Sequence, residues 1–197
     1  MNNIEYTLKI FDKNKYQFGN NVELTETAED GEALLRLISK NNLFAISLSG
    51  NNRIVVFHHK KVADWIVVEF LNDNKINLHI IELKRTIRET AWQKIKEQFL
   101  GAYEHSYLLK GVFDSKINNI LLYTAFVYDK LNTLNTSNPV TLKATNGNNN
   151  KTSALDWNKD TIKIKEQKFR HIKIKLNLDS SNGIGIGEYE IRGEYCG

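Results

Sequence analysis

Cysteine is nearly missing from this chain: Cys196 is the only one, which excludes an internal disulfide framework and a cysteine-based zinc site. The fold must therefore rest on packing. Proline is equally scarce, with Pro139 alone, so a proline-rich linker or polyproline segment is excluded. No apolar run approaches the ~20 residues of a membrane helix, and the polar start "MNNIEYTLK" lacks the apolar core of a signal peptide. A cytoplasmic location without a membrane partner is expected. Neither charge sign dominates, since 27 Lys and Arg against 23 Asp and Glu leave a net charge of +4. That balance permits a polyanionic partner without requiring one.

What is present suits an ordinary globular protein. The chain has 197 residues, long enough for one domain, 1–197, with a proper core. Its 41% hydrophobic and 10% aromatic content argues against disorder.

Hydrophobic periodicity suggests the order of elements. "IEYTLKIF" alternates from Ile4 to Phe11 and predicts a strand. "ETAEDGEALLRLISKNN" predicts a helix with Leu34, Leu37 and Ile38 on one face, Glu29, Glu32 and Arg36 on the other, and Thr27 as N-cap. "LFAISLS" and "RIVVFHH" predict a hairpin turning at Gly50 and the asparagines beside it. Two further strands, 63–70 and 76–84, precede a helix of about 20 residues running from Ile87 or Arg88 towards Leu109, with Trp92, Ile95, Phe99, Ala102 and Ser106 inward. "INNILLYTAFVYD" predicts a central strand buried on both faces. Residues 130–160 predict a polar loop, and 161–192 a set of antiparallel C-terminal strands turning at "DSSNG".

Charge on two of these apolar strands poses a specific problem. "ADWIVVEF" carries Asp64 and Glu69, and "LHIIELK" carries Glu82 and Lys84. Strand alternation puts Asp64, Ile66 and Val68 on one face, and Leu78, Ile80, Glu82 and Lys84 on one face; Glu69 falls on the other side of its strand. A hairpin with Asn72, Asp73 and Asn74 at its tip pairs Leu71 with Lys75 and sets Asp64 opposite Glu82. Such partners lie only ~5 Å apart. Facing carboxylates repel unless a positive charge lies between them, and carboxylate oxygens suit Mg²⁺ or Mn²⁺ better than zinc.

An acid, 17 intervening residues and then Glu82-Leu83-Lys84, each part ending an apolar strand with a long helix following, resembles the PD-(D/E)XK nuclease superfamily. The resemblance covers about residues 28–128. It implies an α/β fold with a restriction-endonuclease-like core, a central mixed β-sheet flanked by helices, here extended by a C-terminal β-hairpin. It further implies a Mg²⁺- or Mn²⁺-dependent nuclease that hydrolyses phosphodiesters, with DNA favoured over RNA. Asp64 and Glu82 would be metal ligands, with the Leu83 carbonyl as a third; Lys84 would position the attacking water, and Glu32 would supply the additional acid. Two departures stand out: Ala63 occupies the proline position, and Gln98 and Tyr103 are five apart where some members space a glutamine and tyrosine by four.

Arg85, Arg88 and Lys94 follow the motif and are candidate phosphate contacts, joined by Gln98 as a candidate nucleic-acid contact. Of the histidines, only His105 is considered as a phosphate contact; the others are too scattered for a zinc site. "GIGIGEY" lacks the following helix of a phosphate loop and predicts a tightly packed strand. Double-strand cleavage would favour a homodimer. The alternative function is a catalytically inactive nucleic-acid-binding or assembly module with the same fold.

Overall fold

The computed structural model describes residues 3–28, 31–48, 61–131 and 148–192. The order is α1 (Asn3–Leu8), β1 (Tyr16–Ala28), β2 (Gly31–Ser47), β3 (Trp65–Phe70), β4 (Lys75–Ile87), α2 (Glu89–Val112), β5 (Lys116–Asp129), α3 (Asn148–Trp157), β6 (Thr161–Ile164), β7 (Gln167–Lys175), β8 (Asn177–Leu178) and β9 (Gly185–Glu190). The strands form one mixed nine-stranded sheet in the order β6-β7-β5-β4-β3-β2-β9-β8, with β1 paired to β2.

The meander β2–β3–β4 is antiparallel, whereas β5 joins β4 in parallel after the α2 crossover. Trp92, Ile95, Phe99, Ala102 and Leu109 recur at helical spacing along α2 and pack with Ile66, Val68, Leu78 and Ile80 of the sheet. Trp157 of α3 completes this side, its ring 5.0 Å from Trp92 and 5.5 Å from His171. Burial and the Lys173 charge lower the His171 pKa to about 3, so the imidazole is neutral; Thr124 Oγ1 lies 2.9 Å from its Nε2. The opposite face is closed by the curled sheet itself, around Val22, Leu24, Leu35, Leu37, Val67, Ile81, Leu83 and Tyr123.

Several expectations give way here. Residues 26–28 and 31–42 are not a helix: they end β1 and form most of β2, and Glu32 lies exposed on a strand, opposite Thr27, while Glu29 lies outside the described residues. "ALLRLIS" fits both periods, but Ala33, Leu35, Leu37 and Ser39 are buried alternately with less buried Leu34, Arg36 and Ile38. Pairing along β1 on one edge, and β9 and β3 on the other, outweighs helix propensity. Ile4–Phe11 is no strand either, since α1 occupies Asn3–Leu8. The C-terminal strands are no appended hairpin: β7 lies parallel to β5 and β9 parallel to β2, inside the main sheet. Gly185 and Gly187 on β9 permit that insertion, because a Cβ would come within 2.4 Å of Val127 and 2.5 Å of Leu176. α3 lies within the segment expected to be loop. The expected hairpin strand 53–59 and most of the asparagine-rich stretch, 132–147, lie outside the described residues.

Glu69 shows how this sheet holds a buried charge when it has the means. It accepts hydrogen bonds from Ser39 Oγ (2.7 Å), Asn41 Nδ2 (2.9 Å) and Asn77 Nδ2 (2.7 Å), with His79 Nε2 at 3.5 Å. Burial pushes its pKa up, but these partners, His79 foremost, outweigh it and hold the carboxyl at about 2. Glu69 thereby ties β2, β3 and β4 together on the face away from α2.

Gly101 is the closest approach of α2 to the segment leading into β3. A Cβ there would lie 2.1 Å from the Lys61 carbonyl oxygen. Gly→Ala normally stabilises a helix interior by about 1 kcal/mol, but backbone cannot turn aside as a side chain can. Gly101→Ala is expected to lower stability by a net ~1–3 kcal/mol, read as a reduced denaturant midpoint with unchanged slope.

Candidate active site

The turn between β3 and β4 fixes the site's geometry. Asp73 and Asn74 adopt φ of 59° and 55°, a left-handed conformation these residue types tolerate, and Leu71 N–H donates to Lys75 C=O at 2.9 Å. From there Phe70 pairs with Ile76 and the ladder runs to Trp65 opposite Ile81. One step further, Asp64 stands across from Glu82.

At that point side chains replace the backbone ladder. The Asp64 N–H donates to Glu82 Oε2 at 3.2 Å, and the Leu83 N–H donates to Asp64 Oδ2 at 2.8 Å. Glu82 Oε1 takes the Lys84 ammonium as its ion-pair partner and no other donor among the described residues. Both carboxyls are buried, Asp64 at 6% exposure and Glu82 at 0%. Burial raises the pKa of Asp64 to about 7; Lys84 opposes the rise, while Glu26 adds to it. Burial and the Asp64 charge raise Glu82 to about 8. Burial lowers Lys84, but Glu82 and Asp64 outweigh it and keep the ammonium above its ordinary value.

Glu26 is the acid missed in the sequence. It ends the apolar alternation of β1 and lies close enough to Asp64 for its charge to help raise that carboxyl's pKa. Trp65 holds β1 in place by donating from Nε1 to Thr25 C=O at 3.0 Å. The signal was the strand pattern of "VELTETA", obscured when Glu26 was assigned to a helix start. A cleft of about 680 Å³ opens beside these groups, lined by Glu26, Asp64, Lys84, Trp65 and Gln98 among others.

The remaining candidates are placed unequally. Gln98 reaches the cleft wall, donating from Nε2 to Val62 C=O at 3.3 Å, while its own carbonyl accepts from Ala63 N–H at 3.1 Å. It braces the approach to Asp64. Glu32 does not line the cleft. Arg85 points to the other side of β4 and donates to Gly183 C=O at 3.3 Å. Arg88 and Lys94 are exposed at the start of α2 and do not line the cleft. Tyr103 bonds Tyr107 and Gln167, away from the site, and His105 is buried against Gly101 C=O, which removes it as a phosphate contact.

The donor set consists of carboxylate oxygens suited to a hard divalent cation. Among the described residues, no group of three His, Cys, Asp or Glu is arranged to hold a metal ion. The fit therefore rests on the Asp64–Glu82 pair, the few donors around Glu82, and the charge balance: three acids face one lysine.

No protein-family model matches the chain, and no curated protein or solved structure shows significant similarity to it. Among the described residues no helix is long and apolar enough to cross a membrane.

The raised carboxyls have a consequence for stability. Both groups bind protons more tightly folded than unfolded, so the native state carries the excess protons from the ordinary carboxyl range up to the shifted values of about 7 and about 8. The contribution of these two groups is fullest below the ordinary range and is lost as pH rises to 7 and 8. In chelator, the thermal midpoint is expected to decline over this interval, and Glu82→Gln to remove roughly half of the decline, since burial raises Asp64 independently. A wild-type midpoint that rises across it would contradict the assignment.

Proposed function

We propose that the chain is a metal-dependent nuclease that hydrolyses phosphodiester bonds of nucleic acid, DNA in preference to RNA, with a restriction-endonuclease-like core. The observation that carries this reading is the pair of buried, facing carboxyls with a single lysine ion-paired to Glu82, Asp64 and that lysine lining an open cleft. The contrast with Glu69 supports it, because the sheet surrounds that acid with donors and leaves these two short of them. The PD-(D/E)XK resemblance adds to it: Asp64 and Glu82 come from adjacent antiparallel strands, and a helix follows the lysine-bearing strand.

In this reading Asp64 and Glu82 hold Mg²⁺ or Mn²⁺, and the Leu83 carbonyl is available as a further oxygen donor. The bound cation supplies Lewis-acid activation of water and neutralisation of the phosphate. Lys84, held by Glu82, places an ammonium where charge builds on the phosphate oxygens. Glu26 takes the additional-acid role that the resemblance gave to Glu32, because it lines the cleft with Asp64 and Lys84. Gln98 acts as a positioning residue through Val62 and Ala63. Arg88 and Lys94 are near enough in sequence to contact phosphates flanking the scissile bond.

Incubation with plasmid, single-stranded DNA and RNA in Mg²⁺ or Mn²⁺ tests this. Wild type should cleave at least one substrate, with Glu82→Ala and Lys84→Ala each lowering the rate roughly 10²-fold or more. Glu26→Gln should reduce it as well, and Glu32→Ala should not. A wild type that binds these substrates and cleaves none would favour the inactive binding module instead.

A further inference from the structure

A second groove lies at the opposite end of the sheet, and its chemistry differs from that of the cleft. β5 and β7 pair only from Leu121 opposite Arg170 onward. Before that point β7 is engaged with β6, and residues 116–120 stand apart from 167–169 in a fork. The end of α2 walls this fork and leaves a groove of about 690 Å³, within the range of small-molecule sites.

Its lining combines two features. Lys110, Lys116, Lys168 and Arg170 surround it without a single acidic side chain among the lining residues. Lys110, Lys116 and Lys168 make no ion pair among the described residues. Tyr107, 45% exposed, supplies aromatic surface in the same groove, while Phe169, 8% exposed, packs inward against Tyr103. The amides of Asn119 and Gln167 add donors and acceptors in the same space.

We propose that this fork binds a nucleotidyl group, the base against Tyr107 and the phosphate against Lys168, Arg170 and Lys116. Aromatic surface accepts the face of any base, and the cations recognise phosphate. The ligand's source is either a free nucleotide or a nucleotide within a strand. The proposal does not rest on the nuclease reading. The site is separate from the cleft, because Lys116 pairs with Lys75 at the start of β4 and Phe126 pairs with Lys84 near its end. That separation is about 30 Å by strand rise, or about nine base pairs of duplex.

The test uses two probes, ATP followed by calorimetry and a fluorescein-labelled single-stranded oligothymidylate followed by anisotropy. At least one should saturate, and Lys168→Ala/Arg170→Ala and Tyr107→Ala should each weaken it roughly tenfold. ATP binding alone would assign a free nucleotide, oligonucleotide binding alone a strand, and either supports the proposal. Photo-cross-linking of the unmodified protein to 8-azido-ATP and to a 4-thiothymidine oligonucleotide guards against variants that fail to fold: adducts at Tyr107 are expected. Binding of neither probe, affinities unchanged in the fork variants, or adducts only elsewhere would overturn the proposal. Loss of cleavage with binding at the fork intact would count against the nuclease reading alone.

Discussion

The register of β3 against β4 is the constraint on which the rest of the site depends. It is set by two left-handed residues, Asp73 and Asn74, and it sends every side chain of both strands to one face or the other. A slip of one residue would move Glu69 out of its donors and Asp64 away from Glu82. The same pairing therefore places one acid where it is satisfied and two where they are not.

That difference is energetic as well as geometric. A buried carboxylate is tolerated when hydrogen bonds and opposite charge replace its hydration. Glu69 has three hydrogen-bond donors and a histidine, and its pKa falls to about 2; Glu82 has one backbone donor and one lysine, and rises to about 8. Two such groups on one pair of strands make generic strain an incomplete explanation. The surroundings hold the first ionised and favour a proton on the second.

Much of this was legible in the sequence, but unevenly. The Asp64–Glu82 register, the helix after β4 and the central character of β5 follow from period-two alternation and one turn, both local signals. The β1–β2 hairpin did not emerge, because Leu34, Leu35, Leu37 and Ile38 satisfy a helical stripe and a strand alike, and only long-range pairing with β9 and β3 decides between them. Glu26 was lost with that hairpin. Its role depends on β1 curling across the end of β3, an arrangement held by the Trp65–Thr25 hydrogen bond between residues 40 apart. The insertion of β7 and β9 as parallel strands was hidden for the same reason: their partners are remote in the chain.

The central claim is that the Asp64–Glu82 pair is completed by a divalent cation. Calorimetric titration of Mn²⁺ into chelator-treated protein at pH 8 addresses it without relying on any substrate. The account expects saturable binding to wild type and its loss in the Asp64→Asn/Glu82→Gln double variant. No binding to the wild type, or equal binding to the folded double variant, would contradict it.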